Sequence, residues 1–114
     1  MIFLNYTPHN VVLNNGDIFE SQGIARVYSS FTDTDMDGIC EVVYGEVTGL
    51  PEPKNGVRYI VSAIVLSVSN REDLVAPATG HPETIRNDKG HIVSVPCFVK
   101  WKKNKKDTNE KDNF

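Results

Sequence analysis

The side chains with most chemistry to offer are Arg71, Arg86 and His9, with the hydroxyls near them. Arg71 and Arg86 are two of only four arginines, and both lie beside apolar, strand-like segments of an acidic chain. A guanidinium so placed either pairs with a nearby carboxylate or presents its fork to a phosphate. Asp73 and Asp88 are the local carboxylates for the first option. The second is a common pocket, rimmed by Thr7 and His9, with Tyr59 as an aromatic face and Ser62 as a hydroxyl. Such a pocket is expected to receive an anionic, phosphate-bearing small molecule. A helix opened by Ser62 would add free amides directed at the same anion. Thr7-Pro8-His9 also has a plainer reading, a turn in which Thr7 and the imidazole bond backbone groups.

Patterns for catalysis or metal binding are weaker. Asp33-Thr34-Asp35-Met36-Asp37-Gly38 matches the opening half of a calcium loop, with carboxylates at positions one, three and five and glycine at six. Position twelve, where a bidentate Glu closes the coordination sphere, is Tyr44, and the flanks are strand-like. An acidic hairpin tip, solvated and blunted against edge pairing, is the expectation. His81 and His91 have no zinc-like spacing to His9. No Ser-His-Asp elbow, glycine-rich phosphate loop or HExxH helix is present. The expected site therefore holds no metal, no cofactor and no catalytic residue, and binding is favoured over catalysis.

The elements that must position these residues are marked by their turns. Asn15-Gly16, Asp37-Gly38 and Lys89-Gly90 each separate two apolar runs, and residues tolerant of positive φ between such runs signal hairpins. The flanking strands are expected at Asn10–Leu13 with Asp17–Phe19, Ala25–Tyr28 with Ile39–Tyr44, and Thr84–Arg86 with His91–Val95. Gly49 to Gly56 is a Pro/Gly connector. After it, the β-branched and aromatic run from Val57 reads as a buried strand. From Ala63 to Ser69 the chain either turns into a short helix capped by Ser62 or continues as strand. Leu74-Val75-Ala76 is a further short strand stopped by Pro77, and residues 77–82 form a loop. The fold class is α+β, mostly antiparallel β with one short helix, in a single small domain. Residues 1–99 form the β-rich body. From Lys100 the composition collapses to Lys, Asn, Asp and Glu, the pattern of a disordered tail.

Charge and composition set the outer bounds. From Lys100 onward six lysines face three carboxylates, a local +3 in a chain of net charge −3, so residues 1–99 carry −6. Such a body is a poor binder of duplex nucleic acid, whose affinity comes from phosphate neutralisation. The longest near-apolar run, Tyr59 to Val68, is about half the length that crosses a bilayer, and Met1-Ile2-Phe3-Leu4 lacks the basic start of a signal peptide. Cys40 and Cys97 belong to no metal-type pair and are expected as reduced core cysteines of a cytoplasmic protein. Small antiparallel domains have open edges, and a homo-oligomer is expected on that ground.

Several segments together resemble a group of small, mostly uncharacterised proteins of bacteriophages and bacterial genomes. They are Asn5-Tyr6-Thr7-Pro8-His9, Gly23-Ile24-Ala25-Arg26-Val27, Gly45-Glu46-Val47-Thr48-Gly49-Leu50-Pro51, Tyr59-Ile60-Val61-Ser62, Arg71-Glu72-Asp73-Leu74-Val75-Ala76-Pro77 and Ile85-Arg86-Asn87-Asp88-Lys89-Gly90-His91-Ile92. The resemblance covers roughly residues 3–98 and implies a small accessory protein, phage-borne, acting in the bacterial cytoplasm. Context and residues together point to a module that sequesters a nucleotide-type signal of antiphage defence without chemistry. An interaction module that blocks a protein partner and a small nucleotide-cleaving enzyme are the alternatives. The first needs convergent donors around a pocket; the second, arginines each paired to a carboxylate; the third, a second acid or base beside His9.

Overall fold

The computed structural model describes residues 1–101. Its ten strands are β1 (Ile2–Asn5), β2 (Val11–Val12), β3 (Ile18–Phe19), β4 (Arg26–Phe31), β5 (Val42–Thr48), β6 (Val57–Ile60), β7 (Leu74–Pro77), β8 (Ile85–Arg86), β9 (Ile92–Ser94) and β10 (Phe98–Val99). One helix, α1 (Ala63–Val68), stands between β6 and β7. Four of the six strand ladders are antiparallel, and the class is α+β with one short helix. The lysine-rich tail beyond Trp101 lies outside the described residues.

All three glycine-marked hairpins form. β2–β3, β4–β5 and β8–β9 are antiparallel pairs, with Gly16, Gly38 and Gly90 at positive φ in their turns. The middle hairpin differs in extent from expectation. Its second strand starts at Val42 rather than Ile39 and runs on to Thr48. The cause is a nested turn. Asp35 Oδ1 accepts from the amides of Asp37 and Ile39, Thr32 Oγ1 accepts from Glu41 N, and the backbone closes between Thr32 N and Glu41 O. Those side chains hold residues 32–41 as a loop. The Asp35 carboxylate is thereby committed to backbone amides, as an acidic tip requires.

The centre of the molecule is a four-stranded sheet in the order β1-β6-β7-β10, and here the pairing departs from the hairpin pattern. β1 runs parallel to β6, from Ile2 opposite Val57 to Asn5 opposite Ile60, and β6 runs parallel to β7. Only β10 is antiparallel to its neighbour. Parallel strands need a crossover, and the short helix α1 supplies it between β6 and β7. Ser62 caps this helix, its hydroxyl accepting from Val65 N at 3.4 Å.

Both faces of the sheet are covered, which explains why Tyr59-Ile60-Val61 and Leu74-Val75-Ala76 are apolar without alternation. Tyr59, Val61, Leu74 and Ala76 face Val65 and Leu66 of α1, together with Ala25 and the partly buried Val27 and Val47 at the base of β4–β5. Ile60 and Val75 point the other way, toward Val11 and Val95. On that second face Phe3, Phe19 and Phe98 pack as a triad with ring centroids 5.0 to 6.2 Å apart, fixing the β2–β3 hairpin to the sheet. The cysteines are not part of either core. Both are exposed thiols: Cys40 sits in the nested loop, and Cys97 in the bend where Val95 and Phe98 take the inward positions.

Candidate functional site

Because β1, β6 and β7 are parallel neighbours, their carboxyl ends open on the same side of the sheet. That is where ligands enter sheets of this kind, since the chain diverges there and leaves a crevice. A cavity of about 450 Å³ lies at this position. The exit of β1 contributes Thr7, His9 and Asn10; that of β6, Ser62 and Ala63; that of β7, Pro77 and Thr79. Val11, Val12, Ile92, Val93 and Val95 build an aliphatic wall.

The turn that carries Thr7 and His9 is held by Asn5, the last residue of β1, which is only 1% exposed. Its Nδ2 donates to His9 O and to Phe19 O, both at 2.8 Å. Its Oδ1 accepts from Thr7 N at 2.9 Å and from the Thr7 hydroxyl at 2.7 Å. One buried carboxamide thus fills all its bonds and shapes the segment that enters the cavity. Ser21 Oγ fixes the same turn from outside, donating to Thr7 O at 2.7 Å. The Thr7 hydroxyl serves the turn, as the plainer reading of Thr7-Pro8-His9 has it, while the imidazole does not. Among the described residues, the His9 ring, the Asn10 carboxamide and the Thr79 hydroxyl have no hydrogen-bond partner and are exposed at the cavity. Ser94, also in the lining, donates to Asn14 Oδ1 and retains its lone pairs.

Of the six residues expected at the site, Thr7, His9 and Ser62 come together in this cavity, and Tyr59, Arg71 and Arg86 do not line it. Tyr59 is 1% exposed, its ring edge-on to Tyr6 in the core and its hydroxyl donating to Glu52 O. Arg71 takes the carboxylate option: Nε and Nη2 donate to the two oxygens of Asp73 at 3.0 and 2.7 Å. This bidentate hydrogen bonding raises the guanidinium pKa and lowers that of Asp73 below the usual carboxylate range. The guanidinium also lies over the Tyr59 ring, 5.6 Å from its centroid, and borders a separate hollow with Leu66 and Trp101. The pocket shared by Arg71 and Arg86 is therefore not formed, because Asp73, two residues on, satisfies the Arg71 fork in place.

Arg86 follows neither option. Asp88 does not neutralise it; instead its guanidinium donates to Gly90 O at 2.9 Å and to Thr79 O at 3.3 Å. The second bond leads back to the cavity, since Thr79 is in its lining. Arg86 thus stands exposed next to the rim, tied to it through Thr79 O.

Among the described residues, the lining carries one titratable side chain, His9, and neither a carboxylate nor a cysteine. Among the described residues no cluster of three His, Cys, Asp or Glu could hold a metal, and no helix is long and apolar enough to cross a membrane. The residues that the sequence did not mark are those whose chemistry is ordinary: Asn5, Asn10, Thr79 and the valines of the wall. Only the Asn5 position carried a signal, a polar residue ending an apolar strand. Comparison of the chain with protein-family models, with curated proteins and with solved structures finds no match to any of them.

Proposed function

We propose that the protein is a non-catalytic small-ligand binder whose site is the cavity at the carboxyl ends of β1, β6 and β7. The observation that carries this reading is the convergence of three parallel strand exits on one concavity with an aliphatic wall and unpartnered polar groups. One imidazole with no carboxylate beside it and no nucleophile bonded to it is a set for holding a ligand rather than cleaving one. The ligand class that fits is nucleotide-like. A base or ribose lies against Val11, Val12 and Val93, polar edges meet His9, Asn10 and Thr79, and a phosphate at the rim comes within reach of Arg86. In the setting that the resemblance implies, a small accessory protein in a bacterial cytoplasm, such a binder would sequester a nucleotide-type signal of antiphage defence.

Titration calorimetry with a panel of linear and cyclic nucleotides tests the reading, with native mass spectrometry for co-purified ligand. Binding should weaken about tenfold in His9→Ala and in Arg86→Ala, each removing one hydrogen-bonding partner, and should persist in Arg71→Ala. Absence of binding to every nucleotide, or binding indifferent to His9 and Arg86, rejects it.

A further inference from the structure

Two asparagines of the chain precede glycine, Asn15 and Asn55, and the fold treats them differently. An asparagine before glycine is open to attack on its own side chain, because no Cβ shields the following amide nitrogen. Both pairs are exposed, with open space around the glycine, so access does not separate them. Hydrogen bonds do. Asn15 Oδ1 accepts from Asp17 N at 2.9 Å, and its Nδ2 donates to Asp17 Oδ2 at 3.3 Å. Gly16 N, the atom that would attack, donates to Leu13 O at 2.9 Å. At the second pair a single bond closes the turn, from Val57 N to Lys54 O at 3.2 Å. Among the described residues, the Asn55 carboxamide and the Gly56 amide have no hydrogen-bond partner.

We infer that Asn55 is a site of spontaneous modification, converted through a cyclic imide to isoaspartate and aspartate, while its own turn protects Asn15. The Gly56 nitrogen gives its proton to hydroxide and bonds to Asn55 Cγ. The Cγ–Nδ2 bond breaks, and Nδ2 leaves as ammonia. Water then opens the imide. Cleavage at Cγ leaves an ordinary aspartate; cleavage at the backbone carbonyl leaves an isoaspartate whose main chain runs through Cγ. Either way one water is consumed, one ammonia is released and a neutral amide becomes a carboxylate. In a closed β-turn the following amide is turned away from Cγ, so the turn must first open. Opening at Asn55 breaks the one bond between Val57 and Lys54. Opening at Asn15 breaks the Gly16–Leu13 bond and both side-chain bonds, and the Asp17 carboxylate there repels the approaching hydroxide. The site bears on the central sheet, because Gly56 O accepts from Ile2 N at 2.7 Å where β1 and β6 begin to pair. An isoaspartate lengthens the main chain by a methylene next to that bond.

Asn55 precedes β6 at its amino end and does not line the cavity, so this inference and the nucleotide-binding reading stand or fall separately. The full chain is incubated in mildly alkaline buffer and mapped by peptide mass spectrometry over time. Conversion at Asn55 should be about tenfold or more faster than at Asn15, given the additional hydrogen bonds that Asn15 must break. An isoaspartate-specific methyltransferase should label the Asn55 peptide of the aged protein and not the same peptide of Asn55→Ser. In urea the two rates should draw together, since without its turn each site is the same Asn-Gly dipeptide. Conversion at Asn15 as fast as at Asn55 in the folded chain, no conversion at Asn55, or a rate difference that persists in urea overturns the inference.

Discussion

Asn5 has no reacting atom to contribute, yet four hydrogen bonds converge on it and three of them end in the Thr7–His9 turn. Replacing it removes both the donors and the acceptor that this buried backbone depends on, and each unsatisfied buried group costs about 1–3 kcal/mol. Asn5→Ala should therefore lower unfolding free energy by about 2–4 kcal/mol in urea titrations and weaken ligand binding further than His9→Ala does. A loss under 1 kcal/mol would mean that water replaces the carboxamide. At this scale the sequence was legible where a partner lay close by. The Asp73 carboxylate, two residues from Arg71, was one of two options visible in the spacing. Arg86 was not resolvable, because its acceptors are carbonyl oxygens, and every residue has one. Tyr59 does not line the cavity because its ring is taken up by the core, by Tyr6 and by the Arg71 guanidinium over it.

Elements were legible where glycine punctuated them. The turns at Asn15-Gly16, Asp37-Gly38 and Lys89-Gly90 each need a residue at positive φ, which the glycine supplies, and the three hairpins form around them. The parallel centre left no such mark. Its strands are joined by long connections, and its sign in the sequence is apolar runs without alternation, as in Tyr59-Ile60-Val61 and Leu74-Val75-Ala76. A short helix between those two runs is itself the signature of a parallel crossover, and α1 stands there. The glycine that closes the β4–β5 ribbon onto the body is a different case. Gly49 has φ +92°, and a Cβ built there would lie 2.3 Å from Ile24 O. Positive φ alone costs a side chain about 1–3 kcal/mol, and the backbone oxygen cannot rotate aside. Gly49→Ala should destabilise by at least about 2 kcal/mol by thermal or urea unfolding, whereas Gly56→Ala, at φ +78° with open space around it, should show only the strain. Equal losses at the two positions would show that the contact with Ile24 relaxes freely.

The whole molecule combines two regions of unequal stability, and neither the cavity nor the ribbon's exposure could be read before the chain was folded. The cavity gathers residues 7–12, 62–63, 77–79 and 92–95, which no local pattern connects. The ribbon's apolar residues look like any core strand until the body is seen to stop at Val27 and Val47. Opening free energy should follow burial. β6 and β7 are covered on both faces and bonded on both edges, so their amides should exchange only through global unfolding. The ribbon beyond Val27 has bare faces and no flanking strand, so its amides should exchange by local opening. Hydrogen–deuterium exchange should show residues 28–31 and 42–44 exchanging faster than residues 59–61 and 74–76 by orders of magnitude. If instead the ribbon is as protected as β6, its bare faces do not set its stability, and something beyond its own two strands holds it closed.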